Sequence, residues 1–226
     1  LLYLKQEMGK IMKSFRTKKW LKGLMLAMLL IVAWLMPTPI LADSYSSLWK
    51  QLDRAAGKDQ PKTELAILQK IAHKATTERA YGHLLKAQIQ AVSVRQSLSP
   101  DSLRPSVIRL EGEQLKAEKA GNKVLAAVYA AVLGRAYDQF PKLCEDAADA
   151  EAASKQWYDK SLRHPDALAK AFATGYEPFV IDGVDSRIFG DDLLHIIGFQ
   201  AGRTQFLHDY YETVSYTHLR AHETTL

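Results

Sequence analysis

KVLAAVYAAVLGRAYDQF, residues 123–140, is the stretch that decides the fold. Val124, Ala127, Val128, Ala131 and Val132 recur at helical spacing, whereas a half-buried strand would alternate apolar and polar residues. The remaining alanines add little bulk, so neighbours can approach this helix on more than one side. It is expected at the centre of a helical array. Gly121-Asn122 breaks the chain before it and Phe140-Pro141 after it.

The same periodicity extends upstream to Asp43, and nothing in that direction reads as a strand. Tyr45, Leu48, Trp49, Leu52, Ala55 and Ala56 share one helical face, with Asp43 or Ser44 as N-cap and Gly57 as the stop. Pro61 fits the first turn of a second helix with the stripe Leu65, Leu68, Ile71, Ala72 and Ala75, ending near Thr76. Tyr81, Leu84, Leu85, Ile89 and Val92 mark a third. Ser99-Pro100 opens a fourth that runs through Leu110 and Leu115. Short connections between consecutive helices favour antiparallel pairs, so residues 43–140 are expected to form helical hairpins in a tetratricopeptide-like or irregular solenoid. Trp49 and Leu52 fit the tetratricopeptide consensus, but Asp53 stands where it has glycine and Gln69 where it has a large apolar residue. A compact irregular bundle is the competing architecture.

Downstream, residues 141–213 read as a second helical region. Glu145 to Ala153 is acidic and alanine-rich and leads into Trp157, Tyr158 and Leu162, and Pro165 opens a short helix. The pattern breaks at Gly175, and a short extended element is expected near residues 177–182, ending in a turn at Asp182-Gly183. Asp191 or Asp192 caps a helix to Phe199. Gly202 separates it from Thr204 to Tyr211, whose Phe206, Leu207, Tyr210 and Tyr211 are expected to bury against it.

The 226 residues carry 30 Lys and Arg against 25 Asp and Glu, a formal charge of +5. The excess lies at one end. Lys13, Arg16, Lys18, Lys19 and Lys22 precede the apolar run Leu24 to Met36, and Pro37 and Pro39 follow it. This is the layout of a secretory signal peptide over residues 12–42, with cleavage expected between Ala42 and Asp43. The apolar run falls short of the ~20 residues that a membrane span needs, so contact with the membrane is expected only through that segment. Residues 1–42 hold seven Lys or Arg and one acid, which leaves 23 basic and 24 acidic residues, a charge of −1. Nucleic acid is therefore not an expected partner. The expected location is the periplasm or bacterial cell envelope. Residues 1–11 read as upstream sequence translated in frame.

Candidate chemistry is sparse. Cys144 is the single cysteine and reads as a small packing residue. His195 and His208, with Asp191, Asp192 and Asp209, form an imaginable carboxylate-histidine metal set, but without the spacing of a ligand motif. The competing reading makes His195 a packing residue and Asp191 or Asp192 a cap. Asp182 and Asp185 read as solvated turn carboxylates, and Gly183 and Gly190 flank a turn and not a phosphate cradle. The sequence contains no nucleophile elbow, P-loop or dinucleotide fingerprint. No catalytic residue, metal or cofactor is expected.

Five strings carry a resemblance: Ser44 to Gln51; Leu65 to Ile71; and, above all, Tyr176-Glu177-Pro178-Phe179-Val180 with Asp191-Asp192-Leu193-Leu194-His195 and Phe206-Leu207-His208-Asp209-Tyr210-Tyr211. Together they resemble the N-terminal region of large bacterial alpha-2-macroglobulin-like proteins over roughly Asp43 to Tyr211. The resemblance implies a helical region that follows a signal peptide and precedes a series of macroglobulin β-sandwich domains, in a protein that traps proteases. It implies those downstream domains as partners, and proteases through the whole protein. The thioester of that family lies in a Cys-Gly-Glu-Gln sequence, and Cys144 is followed instead by Glu145 and Asp146. The expectation is a non-catalytic module truncated before the bait and thioester regions. The alternative is a free-standing periplasmic helical-repeat adaptor for proteins. Residues 214–226 resemble a read-through tail found on unrelated assembled sequences, so His218 and His222 are not read as ligands.

Overall fold

A computed structural model describes residues 44–180 and 191–223, with side chains described as far as 214. Residues 12–42, read above as a signal peptide, the expected Ala42–Asp43 cleavage junction, and Asp182, Gly183, Asp185 and Gly190, expected in a turn, lie outside the described residues. The chain is mainly helical, and its helical hairpins pack in a manner consistent with a solenoid-like array. No described helix is long and apolar enough to cross a membrane.

Helix α1 (Tyr45–Ala56) buries Leu48, Leu52 and Ala55, one face at i, i+4 and i+7. Its stop is not glycine-driven: the residue with positive φ is Asp59, at 50°. Helix α2 (Pro61–Glu78) begins on Pro61, whose missing N–H costs nothing in a first turn. It runs past Thr76 to Glu78, because Arg79 takes the left-handed conformation (φ 56°) and lets the Ala80 amide donate to the Ala75 carbonyl at 2.9 Å.

Helix α3 (Tyr81–Leu98) is apolar on two sides. Ala87 and Ala91 join α1 and α2 in one core, while Leu85 joins the larger core built by the helices that follow. Helix α4 (Leu103–Lys119), entered through the 3-10 turn Pro100–Ser102, buries Val107, Leu110, Gln114 and Ala117. Leu115 lies outside that stripe and is exposed: it follows Gln114 by one position, a rotation of about 100° around the helix. The buried Gln114 amide is satisfied by Glu118 and Lys160.

Helix α5 (Lys123–Gln139) is central, as its alanines suggest, with an unbroken buried run from Leu125 to Ala131. Asn122 caps it, accepting from the Leu125 amide at 3.0 Å. After the 3-10 turn Pro141–Leu143, α6 (Ala147–Ser161) crosses α5 so closely that Tyr158 lies over Gly134, and Ser154 Oγ donates to the Gly134 carbonyl at 2.9 Å. A Cβ on Gly134 would stand 2.9 to 3.0 Å from the Tyr158 ring. Gly134→Ala should therefore cost about 1–3 kcal/mol and lower the melting temperature by about 2–4 °C per kcal/mol. A higher melting temperature in a thermal scan would mean that the ring is not fixed there.

The core is continuous across residues 140 and 141: Leu143, Leu162, Leu168 and Leu193 join Val107 and Val128. Helix α7 (Pro165–Leu168) is followed by a 3-10 turn, Ala173–Tyr176. The extended element expected near residues 177–182 is corrected over its described part. Glu177 alone is extended, and the amides of Phe179 and Val180 turn back to the Tyr176 carbonyl at 2.9 and 3.1 Å. The extended pairing lies instead between Phe172 and Asp192. Helix α8 (Leu193–Gln200) and helix α9 (Thr204–Glu223) complete the described chain. Gly202, at φ 65°, separates them. Leu207 packs on Gly198, but Phe206, expected to be buried, is 36% exposed. The α9 backbone continues through the boundary expected at residue 214 without a break.

An aromatic stack fastens α1 to the α2–α3 hairpin. The Tyr45 and His83 rings lie 3.8 Å apart and nearly parallel, and Trp49 Nε1 donates to His83 Nδ1 at 2.9 Å. Lys74 lies over Tyr45 and Lys86 over Trp49. Burial, reinforced by Lys86 and opposed by Glu78, lowers the His83 pKa from its usual 6.5. The unfolded chain therefore binds the extra proton as pH drops below that value. The stabilisation is complete above 6.5 and is lost as pH falls through the folded pKa. Glu78, held below 4.5 by hydrogen bonds from Lys74 and Tyr45, titrates outside this window. Thermal melting should thus fall as pH drops below 6.5, and the fall should shrink in His83→Gln. An equal fall in both proteins would assign the effect to another group.

Candidate functional site

Asp192 caps α8, its Oδ1 accepting from the His195 amide at 2.9 Å. Both of its carboxylate oxygens lie 2.8 Å from Tyr211 Oη, which donates. Burial, then this hydrogen bond, raises the Tyr211 pKa above the ordinary range. Tyr210 likewise donates to Asp166 at 2.8 Å, and burial followed by that bond pushes its pKa up to about 12.

The His195 ring tilts against Tyr211, with centroids 6.2 Å apart. His208 is exposed beside Asp209 and Glu212, and Asp209 also accepts from Gln205. Asp191 contributes its main-chain carbonyl to the Ala173 amide. Among the described residues, no group of three or more His, Cys, Asp or Glu could hold a metal ion. Cys144 is half-buried on the wall of a cavity of about 360 Å³ with Arg104, Ile108, Glu111 and Tyr137, whose Oη donates to Glu111 at 2.8 Å.

A larger cleft, about 450 Å³, opens between α2, α3 and α4. Each helix contributes one face. Lys62, Leu65, Ala66, Gln69 and Ala72 come from α2; Ala87, Gln88, Ala91, Val92 and Arg95 from α3; Ser106, Arg109, Leu110 and Glu113 from α4. The spacing on all three is that of neighbours along a helix surface. Two of the faces carry a guanidinium group, Arg95 half-buried and Arg109 exposed. Burial, then the nearby positive charge of Arg109, lowers the Arg95 pKa from 12.5. Gln88 Oε1 accepts from Tyr129 Oη at 2.6 Å at the edge of the larger core.

Sequence reasoning did not single out this cleft. Arg95 and Arg109 each look like ordinary solvated charges on their own helices. The only signal was the two-sided apolar pattern of α3, which demands partners on both flanks and so creates the seam where the faces meet.

No family model, no curated protein and no solved structure matches this chain.

Proposed function

We propose that this chain is a non-catalytic helical module of an exported protein, the N-terminal region of an alpha-2-macroglobulin-like protease inhibitor. On this reading it works in the periplasm or cell envelope by contact with the domains that follow it, and meets proteases only through the whole protein. The observation that carries the reading is where the resembling strings meet. Tyr176-Glu177 lies against Gly82 of α3. Asp192, from the string Asp191 to His195, is bonded to Tyr211, from the string Phe206 to Tyr211. Leu194 and Leu207 share one core with Tyr176. Strings separated in sequence thus meet in one packed joint, where the residues that carry the resemblance serve packing.

A second reading, a free-standing periplasmic helical-repeat adaptor, is favoured by the cleft between α2, α3 and α4. The reading frame of the re-sequenced source DNA beyond Tyr211 separates the two. Macroglobulin-type β-sandwich sequence is expected for the first. A stop codon there would overturn it in favour of the adaptor.

A further inference from the structure

We propose that the cleft between α2, α3 and α4 binds an acidic peptide segment of a partner protein, with the Arg95 and Arg109 guanidinium groups holding its carboxylates. The site stands under either parent reading above.

The first argument is charge. Lys62, Arg95 and Arg109 line the cleft against the single carboxylate of Glu113, which already accepts from Lys116 at 2.6 Å. Some cations of the described chain are held by acids: Lys74 pairs with Glu78, Lys160 with Glu118 and Arg203 with Asp159. Neither Arg95 nor Arg109 has a carboxylate partner among the described residues. Two guanidinium groups on different helices line one cavity and disfavour each other; burial first, and then this repulsion, lowers the Arg95 pKa. A ligand carboxylate relieves that repulsion and fits the forked donors of arginine.

The second argument is shape. The volume of about 450 Å³ lies within the range of ligand clefts, roughly 300–1,000 Å³. Between the cations the wall is alanine-rich, including Ala66, Ala87 and Ala91, and leaves room for a main chain to approach the helices. A bare inorganic anion would leave this wall uncovered. A segment with carboxylates on a peptide backbone covers both the charges and the wall, and Gln88, whose Oε1 is engaged by Tyr129, has its amide nitrogen left to donate.

The test uses the full chain and a fluorescein-labelled alternating Ala–Glu octapeptide, read by fluorescence anisotropy. Saturable binding is expected, weakening as salt is added. It should become about tenfold weaker in Arg95→Gln/Arg109→Gln, the equivalent of 1.4 kcal/mol of lost binding energy. The double variant should melt no lower than the parent, because a like-charge contact is removed. An earlier melt would mean that the arginines serve stability and would overturn the assignment. The single variant Arg109→Gln, at an exposed side chain, should show the same direction of loss in affinity. Absence of saturable binding, equal affinity in the variants, or equal affinity for an Ala–Gln octapeptide would each overturn the proposal. Displacement of the peptide by citrate as effectively as by unlabelled peptide would also overturn it, and would identify a small-anion pocket.

Discussion

Gly82→Ala is expected to destabilise the folded chain by about 3 kcal/mol, at the upper end of the usual cost of overpacking. In a helix interior the same exchange ordinarily gains about 1 kcal/mol, since alanine loses less backbone freedom on folding. The two effects have opposite signs, and the contact decides. Gly82 is buried in the first turn of α3, and a Cβ there would overlap the carbonyl oxygens of Tyr176 and Glu177. These are main-chain atoms, so no side-chain rotation relieves the clash. The loop carrying Tyr176, itself stacked on Tyr81 with centroids 6.3 Å apart, must move away. At about 2–4 °C per kcal/mol for a chain of this size, the melting temperature should fall by roughly 6–12 °C. Gly112→Ala in α4 is the control. Nothing stands within 4 Å of its Cβ position, so helix propensity acts alone and the variant should be neutral or more stable. A stabilised Gly82→Ala would show that the loop after Ala173 does not pack on α3.

The contrast between these glycines also marks what could be read from the residues alone. Local rules placed Pro61 and Pro165 in first turns, a break at Gly121-Asn122, a cap at Asp191 or Asp192, and the apolar faces of α1, α2 and α5. Each depends on residues within one or two helical turns. The misses depend on partners distant in sequence. Gly82 looks like a weakness in α3 until Tyr176 closes over it. The stops at Asp59 and Arg79 put left-handed backbone on residues other than glycine, because the following helix must turn back to pack. Tyr176 to Val180 is rich in residues suited to strands, yet no strand pairs with it among the described residues, and the Phe179 and Val180 amides turn back to the Tyr176 carbonyl instead. The cleft was hidden for the same reason: Arg95 and Arg109 acquire meaning only when α3 and α4 lie side by side.

Ala131→Glu should be the more damaging of the two substitutions, because it adds a charge as well as volume. Ala131 is 5% exposed on α5 and belongs to the core that also holds residues of α3, α4, α8 and α9. A carboxylate there leaves water for apolar neighbours. Lys160, a half-buried cation on α6, is already held by Glu118 and Gln114. Burial of an unpaired charge is among the few mechanisms that cost more than about 4 kcal/mol, a large share of the roughly 5–15 kcal/mol that holds a typical domain folded. Ala131→Leu separates the two contributions, since it adds volume without charge and should cost about 1–3 kcal/mol. The pH dependence supplies a second signature. A buried carboxyl has a folded pKa above the ordinary glutamate value of about 4.3, so the folded Ala131→Glu variant binds its proton before the unfolded chain does. The excess loss of stability over Ala131→Leu should then be full at neutral pH and shrink as pH falls through the raised pKa. Thermal melting at several pH values checks both points. Unchanged melting would put Ala131 on an open face, and a pH-independent gap between the two variants would show that the carboxylate reaches water, so that α5 is not enclosed on both flanks.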